Sequence, residues 1–138
     1  MASSMFLRFT IPQQDEQSGV ASGVFHAVYA LADDVTVPDY ERELIYDALD
    51  WYRQNLRIPH FLKDAAEPRA ICWFRDSAVE HLKRMWELIW LVRERGIGIT
   101  LHRTDSPGQI VYEDEAQVAA RPWAATWATR TTKHWAGA

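Results

Sequence analysis

The chain has 138 residues, 48% hydrophobic and 25% charged, with a formal net charge of −4. That length and balance suit one folded domain able to bury its own core, and they exclude a wholly disordered chain. A net negative chain argues against general binding to nucleic-acid phosphates, and a single cysteine, Cys72, excludes an internal disulfide. No apolar run approaches membrane-spanning length, and no positive stretch leads into one, so a cytoplasmic location is expected.

Residues 1–4 precede a second methionine and read as a leader or an expression remnant. Met5, Leu7, Phe9 and Ile11 then alternate with Phe6, Arg8 and Thr10, the period of a strand with one buried face, and Pro12 ends it. Residues 20–32 read as a helix, with Val24, Val28 and Leu31 in one stripe and Gly19 and Gly23 weakening its start. A second helix is expected over 38–56: Pro38 suits the first turn, and Asp39, Glu41 and Glu43 complement its positive end. Its apolar face runs through Leu44, Ile45, Ala48, Leu49, Trp51, Tyr52 and Leu56.

A linker bounded by Pro59 and Pro68 leads to the short apolar run 70–74, read as a strand. Ser77 and Glu80 have capping-box spacing and open a third helix. Val79, Leu82, Trp86, Ile89 and Trp90 recur along it as core positions, and Gly96 is a natural stop. Ile97, Ile99 and Leu101 alternate as a strand. Ser106-Pro107-Gly108 is a turn, Ile110–Tyr112 a returning strand, Glu113-Asp114-Glu115 an acidic turn, and Gln117–Ala120 a further strand. The expected fold is α+β: a mainly antiparallel sheet, made of the N-terminal strand plus a C-terminal three-stranded meander, with about three helices on one face. Residues 5–121 form this domain, and 122–138 are a Trp/Ala/Thr-rich tail.

Chemistry-bearing motifs are scarce. The five histidines lack ligand spacing, and His60 with Asp64 supplies only two donors, so no metal or other cofactor is expected. Cys72 sits in the apolar run Ala70-Ile71-Cys72-Trp73-Phe74 and reads as an inert buried thiol. Residues 18–23 hold two glycines but match no phosphate-binding fingerprint. Arg69 and Arg75 flank Trp73 at the start of the third helix, where an acidic group of a partner would be held. Trp123, Trp127 and Trp135 lie in a polar tail, and tryptophan there marks contact with a partner or a second copy.

The reading that follows is a small protein-interaction module (regulator, adaptor or inhibitor-like) without a catalytic motif, so it leans away from an enzyme. Arg69, Trp73, Arg75, Trp123, Trp127 and Trp135 are its candidate partner- or anion-binding residues, and another protein or a second copy is its expected partner. The alternative is a ligand-binding protein or enzyme with an aromatic-lined pocket whose polar groups are Arg8, His81 and Tyr112. A third reading, nucleic-acid binding through the third helix, is weakened because its basic residues are offset by Asp76, Glu80, Glu87 and Glu94.

Overall fold

The N-terminal strand lies in the middle of the sheet rather than at its margin. A computed structural model describes residues 4–14, 21–57, 70–123 and 131–135 of the chain, with the backbone alone at Gln14, Ala21, Ser22 and 131–135. The elements in order are β1 (Phe6–Gln14), β2 (Ala21–Gly23), α1 (Val24–Ala32), α2 (Asp39–Asn55), β3 (Ile71–Arg75), α3 (Val79–Glu94), β4 (Ile99–Thr104), β5 (Gln109–Glu113), β6 (Gln117–Arg121) and β7 (Thr131–Trp135). The strands form one antiparallel sheet in the order β5-β6-β3-β1-β4-β7, with β2 paired to β1. Among the described residues three helices pack on one face of it, so the α+β architecture holds.

The expected meander does not form. β5 and β6 make a hairpin, but β4 pairs with β1 and β7 and never meets β5. The reason lies in burial. β4 carries Ile99 and Leu101 on one face and His102 and Thr104 on the other, all buried, so it needs an interior place. It finds one beside β1, where Phe9 faces Leu101 in the register. β5 has no buried residue and takes the edge. At the opposite edge, residues 131–135, part of the stretch read as a tail, complete the sheet as β7.

This order forces the sheet to roll. β6, β3 and β1 stand between β4 and β5, which in a flat sheet would set those two strands about 19 Å apart. Only residues 105–108 join them, and five peptide units reach about 17 Å even when fully extended. The sheet curls toward the face that no described helix covers. Phe6, Ile71, Trp73 and Val118 form a second hydrophobic cluster there, although no described helix lies over them. The larger cluster joins Phe9, Ile11, Phe74, Ile99 and Leu101 to the buried stripes of α1, α2 and α3.

Local structure departs from expectation at two helix starts. α1 begins at Val24, not Val20, because the segment before it pairs with β1 as β2. Ser77 and Glu80 form no capping box. The N-cap of α3 is Ala78 with no side-chain hydrogen bond, the Val79 N–H donates to the Ser77 carbonyl at 2.9 Å, and Glu80 instead faces Arg84 at 3.4 Å. Gly96 does end α3 with a left-handed φ of 79°. Gly108 carries φ 129°, and a Cβ there would lie 2.0 Å from the Arg121 carbonyl oxygen, so the passage into β5 admits only glycine.

Candidate interaction surface

The residues expected to contact a partner or an anion, around the start of α3 and in the tail, stand in different settings where they are described. Trp73 is 2% exposed and sealed in the second cluster, because β3 turns it to the rolled face. Arg75 is committed inside the fold: its Nε donates to the Asp114 carbonyl at 2.7 Å, its guanidinium pairs with Glu113 at 2.9 Å, and it lies 5.8 Å from the Phe6 ring centroid. Trp123 stands exposed just after β6, and its Nε1–H donates to Ser106 Oγ at 3.3 Å. Trp135 pairs with Ile99 in the register of the β7 edge. Arg69 and Trp127, like His60, Asp64 and the glycine at position 19, lie outside the described residues.

Nor do Arg8, His81 and Tyr112 converge. Arg8 pairs with His102 on the rolled face, whereas His81 meets Trp51, Tyr52 and Phe74 in the helical layer. Tyr112 is held at the β5–β6 turn, where its hydroxyl donates to Asp114 at 2.7 Å. That hydrogen bond is the first cause lifting the Tyr112 hydroxyl above its usual range. Asp114 also accepts the backbone N–H groups of Ala116 and Gln117, and these bonds outweigh burial to hold its carboxyl below the usual range. The acidic turn is therefore an internal brace: Asp114 organises the reversal and Glu113 anchors Arg75.

Two titratable groups, the buried His102 and the half-buried Cys72, are tuned away from neutral-pH chemistry. Thr10 Oγ1 and His102 Nε2 share a 2.8 Å hydrogen bond on the rolled face. Burial, and then the Arg8 guanidinium, pulls the His102 imidazole down to about 4, so it is neutral at pH 7. Burial pushes the Cys72 thiol up to about 11, which keeps it protonated. Among the described residues no three His, Cys, Asp or Glu side chains gather as a metal site, and no helix is long and apolar enough to cross a membrane.

What the helices leave outside is the larger finding. Among the described residues, seven of the large apolar side chains that stand exposed lie on helices: Tyr29, Tyr40, Leu44, Tyr46, Val79, Trp86 and Trp90. On α2, Tyr40 (66% exposed) and Leu44 (56%) are four residues apart, among the exposed acids Asp39, Glu43 and Asp47. On α3 the buried stripe is Met85, Leu88, Ile89 and Val92. The expected core positions Val79, Trp86 and Trp90 fall beside it, at 70%, 39% and 62% exposure. The apolar arc of α3 is wider than the sheet and neighbouring helices can cover, so its flank is left to solvent.

The exposed tryptophans are also held in place. The Phe9 ring meets Trp86 edge-on, with centroids 5.3 Å apart, and the Arg93 guanidinium lies 5.5 Å from the Trp90 ring centroid. On the other side of α3, Arg84 covers Trp51 at 4.5 Å and Arg95 pairs with Glu41, both binding α3 to α2. Residue type alone did not reveal this division, because Trp86, Ile89 and Trp90 all satisfy helical spacing. The missing signal was the denser set Met85, Leu88, Ile89 and Val92, which fixes where the core lies. No protein-family model, curated protein or solved structure matches this chain.

Proposed function

We propose that the protein works by protein–protein contact, as a regulator, adaptor or inhibitor-like module, with the helical layer as its contacting surface. The observation that carries this reading is the exposure of seven large apolar side chains on the three described helices. Tyrosine and tryptophan anchors of this kind are enriched where binding energy concentrates. The α2 face supplies a defined first target: Tyr40 and Leu44 within an acidic surround favour a partner with apolar and basic groups.

The test is capture from the native cell by a photo-crosslinker placed at position 43, with wild-type and Tyr40→Ala/Leu44→Asp proteins. A specific adduct that disappears in the double variant supports the reading. An adduct pattern indifferent to both substitutions overturns it for this face.

The alternatives have less behind them. The pocket trio is split between the rolled face, the helical layer and the β5–β6 turn, so nothing in the geometry gathers it around a ligand. Arg75, Arg84, Arg93 and Arg95, the arginines of a helix-borne nucleic-acid surface, already face carboxylates or aromatic rings.

A further inference from the structure

α3 presents an exposed stripe with a lysine toward one end and a glutamate at the other. Val79, Lys83, Trp86, Trp90 and Glu94 recur at intervals of four, three, four and four residues, and all five are exposed. Those intervals place them along one line of the helix surface. The two tryptophans occupy its middle, Lys83 stands toward the N-terminal end and Glu94 at the C-terminal end. Lys83 and Glu94 are separated by about 16 Å of helix rise.

We propose that this stripe is a two-fold contact between copies of the chain, with α3 packed antiparallel against α3 of the second copy. The commitment to a second copy rests on charge complementarity. A two-fold axis passing between Trp86 and Trp90 brings Lys83 opposite Glu94 of the other copy, and Glu94 opposite its Lys83. The same operation stacks the tryptophans of both copies at the centre. A parallel arrangement would set lysine against lysine and glutamate against glutamate. Such self-complementarity is what an isologous interface requires.

Preorganisation favours the contact as well. Phe9 and Arg93 already fix Trp86 and Trp90, so less side-chain freedom is lost when the copies meet. A contact centred on one helix pair is small, so the dimer is concentration-dependent rather than obligate. It uses a different helix from Tyr40 and Leu44, and it stands or falls independently of any other partner.

Sedimentation equilibrium across micromolar concentrations tests it, using wild type, Trp90→Ala, Lys83→Glu, Glu94→Lys and the double charge reversal. Wild type should self-associate, and each single variant should weaken association about tenfold or more, as loss of a central anchor or an opposed charge does. Lys83→Glu/Glu94→Lys should recover most of the affinity, because both cross-pairs are restored with reversed sign. Circular dichroism checks that each variant retains its fold. A wild type that stays monomeric overturns the proposal. So does a dimer indifferent to these substitutions, or a double reversal no better than the single variants.

Discussion

Tyr52 and His81 fasten the C-terminal end of α2 to the first turn of α3 from both sides. The Tyr52 hydroxyl donates to the His81 carbonyl at 2.6 Å, while His81 Nε2 donates to the Asn55 carbonyl at 2.7 Å. The two rings lie 6.2 Å apart, with Trp51, Phe25 and Phe74 around them. The second bond gives the end of α2 a donor that its own backbone lacks.

Tyr52→Phe keeps the packing and removes one donor from this arrangement. The His81 carbonyl then loses a partner in a partly buried setting, at a cost of about 1–2 kcal/mol. Urea unfolding should show a lower midpoint with an unchanged slope. A midpoint equal to that of wild type would mean that water replaces the hydroxyl freely.

His102 makes stability depend on pH in a defined window. Its pKa in the fold, about 4, lies below the 6.5 of an unperturbed imidazole, so folding favours the neutral ring. That contribution is complete above about pH 6.5 and is lost as pH falls toward 4, to a total of roughly 3 kcal/mol at most. Unfolding free energies measured between those limits should fall more steeply for wild type than for His102→Gln. Parallel curves would remove His102 as the cause.

The two left-handed glycines should respond very differently to alanine. At Gly96 a Cβ meets nothing within 4 Å, so Gly96→Ala costs only the conformational term of about 1–2 kcal/mol. At Gly108 the Cβ collides with the Arg121 backbone as well, so Gly108→Ala should cost several kcal/mol or prevent folding. Comparable melting temperatures for the two variants would contradict the packing of the β4–β5 passage.

The tryptophans separate into structural and surface groups by the same measure. Trp73→Ala empties the second cluster and should cost about 3–5 kcal/mol. Trp90→Ala removes an exposed ring and should change monomer stability by no more than about 0.5 kcal/mol. Chemical denaturation of both variants at low protein concentration decides the matter.

Cys72 should be slow toward thiol reagents. Raising its pKa from 9.0 to about 11 lowers the thiolate fraction at neutral pH about 100-fold. Titration with a disulfide reagent should yield the single thiol promptly only in denaturant. Rapid reaction of the native protein would show that the sulfur is neither desolvated nor shielded.

Much of the architecture is written in local pattern. The alternation at Leu7, Phe9 and Ile11, the apolar face of α2, and the glycine at 96 all report conditions set by their immediate neighbours. Pairing partners are not local. Nothing near Thr104 announces that β4 will join a strand more than ninety residues earlier and leave β5 to the far edge. The site was less legible for a related reason. Trp73 and Trp90 are the same residue type in apolar surroundings, yet one faces the closed side of the sheet and the other the outer flank of α3. Only the placement of whole elements distinguishes them.

The central position of β1 also bears on how the chain is made. Synthesis delivers this strand first, but β3 and β4, its flanking strands, emerge only once residues 71–75 and 99–104 have been added. Until then β1 has only the short β2 to pair with, and long-range pairing of the kind it makes with β3 and β4 is slow. The nascent N-terminal half therefore passes through a stage with most of this hydrophobic strand unpaired, when a chaperone, or another nascent copy, would find it most accessible.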